Sequence, residues 1–249
     1  MNHGAYAALA RYYDELTRDV PYGRFADFYE DLFRSGGLNV KAILDLACGT
    51  GTLTCLLAAR GYDMTGADMS GDMLSVAYDK ASSLKNKPLF LNQPMQALDL
   101  YGTVDAVVCS LDGINYVRPD ILKEVFSRVL LFLEPGGMFI FDIRPPVFLR
   151  NQDGEVYLDE TDTVYCVWRA RLDKAQNALL YGMDLFAKEG RHWTRYKEEH
   201  AEYLHEPEDL SALLEACGFT DVRLYGDMAL RPPQADDTRL FFSARKACG

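Results

Sequence analysis

Residues Ile43 to Thr54 read ILDLACGTGTLT: an apolar run that ends at Asp45 and Leu46, then Ala47, Gly49 and Gly51 at every second position. A short apolar run bounded by a turn reads as a buried strand. Small residues directly after it let a ligand lie against the backbone. They also bring it close to the N–H groups that open the next helix, expected near Gly51 or Thr52. A tight turn packed for structural reasons alone would use the same residues. A dinucleotide fingerprint needs G-x-G-x-x-G, whereas positions 47, 49 and 52 hold Ala, Gly and Thr. The spacing is instead Asp45-x-Ala47-x-Gly49-x-Gly51.

Outward from this turn the chain alternates. Apolar runs at 40–46, 62–67, 88–91, 104–110 and 137–143 are interleaved with amphipathic stretches at 52–60, 71–84 and 120–133. Strands alternating with helices of that length require parallel crossovers, hence a doubly wound α/β sheet. In LEPGGMFIF (133–141) a Pro-Gly-Gly turn separates a helix from the strand that follows. Upstream, apolar residues recur at helical spacing from Leu9 to Leu16 and from Phe25 to Phe33, and Pro21 divides them into two helices. Downstream of Asp142 the rhythm changes. TVYCVWRARL, ALLYGMDLFA and HWTRYKEEHAEYL, joined by turn-like DKAQN and KEGR, predict a three-stranded antiparallel sheet within 155–203. A helix over 206–219 with Gly218 just past its end, then strands near 220–226 and 238–245, complete the chain.

Composition narrows the function classes. The 249 residues are 49% hydrophobic and 25% charged, with a formal net charge of −11 and no basic block. Nonspecific nucleic-acid binding needs clustered Lys and Arg, so that role is disfavoured. The N-terminus lacks the features of a secretory signal, and no run approaches the roughly 18 apolar residues of a membrane span. The six cysteines are scattered without a C-x-x-C pair, which reads as free thiols and a cytoplasmic address. His192, His200 and His205 lack metal-ligand spacing, so no metal site is expected, and no G-x-S-x-G appears.

The Asp45 to Gly51 pattern resembles the first motif, D/E-x-G-x-G-x-G, of class I S-adenosylmethionine-dependent methyltransferases, from which it departs only in Ala47. YDMTGADMS (62–70) resembles the family's second strand and ends on Asp68, about 20 residues past the turn. LNQPMQALDL resembles the third strand, with Pro94 where the family often has Asp. YGTVDAVVCSLDGINYV and LFLEPGGMFIFDI resemble the fourth and fifth. These landmarks cover 40–145 and, more loosely, 206–245. Residues 12–33 are similar to the N-terminal segment of bacterial methyltransferases related to glycine N-methyltransferase and the sugar-amine N-methyltransferases.

The resemblance implies a Rossmann-like seven-stranded sheet whose last strand is antiparallel, residues 1–39 as a helical lid, 40–145 and 206–249 as the cofactor-binding core, and 146–205 as a β insertion capping the substrate. It implies S-adenosylmethionine as cofactor and S-adenosylhomocysteine as product. Asp68 would accept the ribose hydroxyls. Met69, Met73 and the backbone around Met95 would meet the adenine. Asp45, Ala47, Gly49, Thr50, Gly51 and Ser110 would line the rest, with Tyr13 and Tyr22 near the methionine portion. Met69, Met73 and Tyr13 would look the same as core residues.

After the fourth strand, Ser110, Asp112, Asn115 and Tyr116 face the crevice at the carboxyl ends of the strands. Asp112, Tyr116 and Tyr13 are the candidate catalytic groups, although an Asp before Gly113 is also a turn former. In the insertion Trp168, Arg169, Arg171, Trp193, Arg195, Tyr196 and His200 alternate, and half of them must face away from any pocket. The expected activity is methyl transfer to a small-molecule acceptor, an amine foremost, by a monomer or homodimer with no nucleic acid or membrane partner. A tRNA, ribosomal or protein acceptor is one alternative; a non-catalytic regulator that binds the cofactor is another.

Overall fold

The computed structural model describes residues 5–248. Two helices, α1 (Ala5–Leu16) and α2 (Tyr22–Ser35), open the chain. They divide at Pro21, which lacks an amide hydrogen and stands where a new helix starts. Next come β1 (Ala42–Leu46), α3 (Thr52–Ala59), β2 (Asp63–Asp68), α4 (Gly71–Ala81), β3 (Leu89–Asn92), β4 (Val104–Cys109), α5 (Leu122–Phe132) and β5 (Leu133–Ile143). A short helix α6 (Pro146–Asn151) leads into β6 (Val156–Glu160), β7 (Val164–Asp173), β8 (Ala178–Glu189) and β9 (His192–Tyr203). Helix α7 (Pro207–Cys217), β10 (Phe219–Gly226) and β11 (Leu240–Lys246) close the fold, and Gly218 ends α7 at φ 105° as its position predicts.

Seven strands form one sheet in the order β10-β11-β5-β4-β1-β2-β3. All are parallel except β11, which runs antiparallel to both β5 and β10. Strand side chains alternate between faces, and both faces are apolar because helices cover both. On one face Ile43, Ala106, Val108, Ile140 and Phe241 meet Phe25, Tyr29 and Leu32 of α2 and Leu53 and Leu57 of α3. On the other, Leu44, Val107, Phe139 and Phe141 meet Val125, Phe126 and Val129 of α5 and Leu214 of α7. Each fully buried side chain of this size contributes roughly 1.5–3 kcal/mol.

Two expectations need correction. β5 starts at Leu133 and runs through the Pro-Gly-Gly segment, with Gly136 at φ 79° where the β4–β5 register shifts. The insertion has four strands, ordered β6-β7-β8-β9, instead of three. β6 escapes a pattern-based reading because every one of its residues is exposed, so burial imposes no alternation on it. The inner face of this second sheet packs on α1: Leu9 and Ala10 join Val164, Cys166, Met183 and Leu185, with Met73 of α4 beside them.

Candidate active site

A cavity of about 1070 Å³ opens at the carboxyl ends of β1, β2 and β4. In the strand order β1 lies between β2 and β4, so the crossovers leave it in opposite directions there and no helix fills the gap. The core supplies Asp45, Ala47, Gly49, Thr50, Asp68, Met69, Met73, Met95, Ser110, Asp112 and Tyr116; Tyr13 comes from α1. One expected wall residue is set back. Gly51 caps α3 at φ 69°, and a Cβ there would lie 2.9 Å from the Ala77 Cβ, so it serves helix–helix packing.

The turn after β1 is shaped for close approach. Ala47 sits at φ 58° and Gly49 at φ 54°, and the space beside Gly49 is open. Ala47 therefore pays a modest backbone strain where a glycine would be at ease. The Asp68 carboxylate accepts the Gly49 N–H at 2.8 Å and the Ser70 N–H at 2.8 Å. The Met69 N–H bears on it as well, and a carboxylate has about four acceptor positions, so capacity remains for a ligand. Asp45 is buried and accepts the Thr54 hydroxyl at 2.5 Å. Burial, with the Asp68 charge adding to it, pushes its pKa up to about 7. Asp14 fastens α1 to this turn: it accepts Thr50 Oγ1 at 2.6 Å and pairs with Lys80 Nζ at 2.7 Å.

The loop after β4 is held in an uncommon shape. Leu111 and Asp112 lie at φ 56° and 55°, and the buried Asp142 carboxylate accepts both of their N–H groups, at 3.0 and 2.9 Å. Asp142 is ion-paired in turn with Arg239, whose guanidinium also reaches Asp112 at 2.6 Å. The Asp112 carboxylate is thus part of a buried ion-pair network. Ser110 is fixed by the Tyr29 hydroxyl at 2.7 Å. Asn115 does not reach the cavity wall; its side-chain amide ties the carbonyls of Arg144 and Tyr203 together.

The second sheet completes the far end. The register aligns Ala170, Tyr181 and His200 in one cross-strand row and Leu172, Leu179 and Glu202 in the next, so Trp168, Tyr181, His200 and Glu202 share the inward face. Arg169 and Arg195 lie on the other side, where both grip Asp184 at 2.5 Å. Arg171 and Trp193 are exposed, and Tyr196 donates to Glu189 at 2.9 Å. Glu202 is 6% exposed; its Oε1 accepts the Tyr116 hydroxyl at 3.3 Å, and its Oε2 has no hydrogen-bond partner among the described residues. Burial, then the nearby Asp112 charge, raises its pKa to about 8. The Tyr13 pKa is raised by burial, and that of Tyr116, exposed to the cavity, by the enclosing walls and the Glu202 and Asp112 charges. No cluster of three or more His, Cys, Asp or Glu is placed to hold a metal ion among the described residues. None of their helices is long and apolar enough to cross a membrane.

Sequence reasoning missed Glu202, Arg144, Arg239 and Asp142. A signal was present for the first: Glu198, His200 and Glu202 stand at two-residue spacing in an alternating strand and must share a face.

Known proteins with this sequence and shape agree on the chemistry. A methyltransferase domain family matches residues 43–137. YqeM of Bacillus subtilis, a protein named as a methyltransferase, is 32% identical over 247 residues, covering 97% of this chain and 97% of that protein. An S-adenosylmethionine-dependent methyltransferase from Clostridium acetobutylicum superposes with a TM-score of 0.87 at 28% identity, over 97% of this chain and 99% of that one. CalS10, an amino pentose methyltransferase of Micromonospora echinaspora solved with its cofactor, shares the fold with a TM-score of 0.73 at 19% identity, over 92% and 93% of the chains. The open glycine turn and the partly satisfied Asp68 carboxylate suit a nucleoside, and S-adenosylmethionine is the cofactor. With its antiparallel last strand, its cavity at the β1 switch point and its full-length relatives, the chain belongs to the class I S-adenosylmethionine-dependent methyltransferases.

Proposed function

We propose that the enzyme methylates a small-molecule amine inside the chamber between the core and the cap. The observation that carries this reading is the composition of the far wall, where the buried Glu202 carboxylate lies beside Tyr116 and Tyr181, with His200 and Trp168 further along the same inward face. Aromatic faces and a carboxylate attract an ammonium or amine group. CalS10, an amino pentose methyltransferase, illustrates that this fold accommodates an amino sugar. An overall charge of −11 works against an RNA acceptor.

When bound, S-adenosylmethionine supplies a methyl group activated by a sulfonium. The residues of this chain bind, orient and exclude water. Asp68 would receive the ribose hydroxyls, and the open backbone at Ala47 and Gly49 would admit the nucleoside. Met69, Met73 and Met95 cover the adenine. Thr50, Asp45 and Ser110 surround the methionine portion. Of the expected lid, 1–39, the first four residues lie outside those described; residues 5–39 act as a lid through Tyr13, and 146–205 as the substrate cap. Asp112, fixed by Arg239, orients the acceptor and leaves proton transfer to another group.

Incubation of cell extract with the enzyme and methyl-labelled cofactor tests this. Label should enter the small-molecule fraction, in products that chromatograph as methylated amines. Label confined to RNA or protein overturns the reading.

A further inference from the structure

Resting on that reading, we propose that Glu202 is the acceptor-binding carboxylate: it receives the ammonium group of the substrate and takes its proton before methyl transfer.

Three observations converge on this residue. It is 6% exposed and lines the cavity, with Oε2 itself covered, so an ammonium reaches that oxygen by a turn of the carboxylate. One oxygen accepts the Tyr116 hydroxyl, while Oε2 has no partner among the described residues. A buried polar atom without a partner costs roughly 1–3 kcal/mol, more when charged, and persists where a ligand supplies the missing bond. Third, its surroundings tolerate both protonation states. Asp112 from the loop after β4 opposes the charged form, whereas Arg144 at the end of β5 and Arg239 at the start of β11 favour it. Arg239 is already shared between Asp112 and Asp142, so its charge is largely answered elsewhere.

Position matters as much as charge. Glu202 touches Tyr116 and lines the same cavity as Tyr13 and Asp68. An ammonium on Oε2 would give one N–H proton to the carboxylate, leaving a neutral amine and a carboxylic acid. Its freed lone pair then forms the N–C bond as the C–S bond breaks, with that electron pair staying on sulfur. Balance is complete within substrate, cofactor and Glu202. The raised affinity of Glu202 for a proton brings it close to an amine's, so the exchange proceeds from the ionised carboxylate and is favoured as pH rises past about 8.

The test uses two nucleosides that differ where the methyl group is delivered. S-adenosylhomocysteine has a bare thioether; sinefungin carries an ammonium group at that place. By calorimetry the wild type should prefer sinefungin, and Glu202→Gln should cut the preference about tenfold while leaving the affinity for S-adenosylhomocysteine unchanged. Glu202→Met repeats the measurement if the amide variant loses that affinity. A preference absent from the wild type, or unaltered in the variants, overturns the role of Glu202. Methyl transfer to a panel of primary amines and hydroxylic acceptors runs beside it. Transfer to hydroxyls alone would overturn the amine reading without touching the calorimetric result.

Discussion

Glu202 bears a cost in stability. Its carboxyl holds a proton more tightly in the folded chain than in the unfolded one, chiefly because burial disfavours the charge. The sign follows from linkage: the folded state binds more protons between the ordinary carboxyl value and about 8, so stability falls as pH rises through that window. Glu202→Gln removes the titration and keeps the shape. Its melting temperature relative to wild type should therefore climb by several degrees between pH 5 and pH 9, given roughly 2–4 °C per kcal/mol for a chain of this size. Differential scanning calorimetry at both pH values reads the change, and any fixed cost of the amide cancels in the difference. A parallel pH dependence for the two proteins would place the raised proton affinity elsewhere. Such a residue is hard to find in a sequence. KEEHAEYL offers three glutamates within five residues; alternation sets Glu199 apart, but only the placement of the sheet over the cavity separates Glu202 from Glu198. Asp68 was legible because a fixed distance from the glycine turn marks it. Asp142 and Arg239 were not, since they are 97 residues apart and meet only through the antiparallel β11.

At the scale of elements, α1 is fastened to the core by few polar contacts. Asp14 is the centre of them: it accepts Thr50 and Thr52 hydroxyls, at 2.6 and 3.2 Å, and pairs with Lys80 of α4. Thr50 belongs to the glycine turn itself, so the position of the helix and the shape of the turn are coupled. Both charged partners are partly exposed, and such a pair contributes up to about 1 kcal/mol. Asp14→Ala should accordingly weaken S-adenosylhomocysteine binding by about three- to tenfold and shift the melting temperature little. Titration calorimetry checks the first and a thermal scan the second; unchanged affinity would mean that α1 closes without the latch. The elements of the core were readable because burial on both faces makes each parallel strand an apolar run and each helix amphipathic. The cap was read one strand short for the opposite reason, β6 having no buried face.

Three segments distant in the chain enclose one chamber, and the molecule works only if they respond together. α1 and the inner face of the cap share a single apolar cluster, Leu9 and Ala10 against Val164, Cys166, Met183 and Leu185, and Met73 of the core completes it. Met73 also lines the cavity beside Met69 and Asp68. On the proposed function, a nucleoside seated on the core would press on a residue that supports both α1 and the second sheet. At a ligand concentration of about 100 times Kd, the bound state gains about 2.7 kcal/mol over any opening that releases the ligand. Hydrogen exchange with saturating S-adenosylhomocysteine should then slow up to about 100-fold in Leu9–Leu16 and in β7 to β9, as well as at the ends of β1 and β2. β10, at the far edge of the sheet, should gain much less protection. Slowing confined to the strand ends, with α1 and the cap exchanging as before, would mean that the ligand rests on an open shelf, and that water exclusion during methyl transfer must come from the acceptor instead.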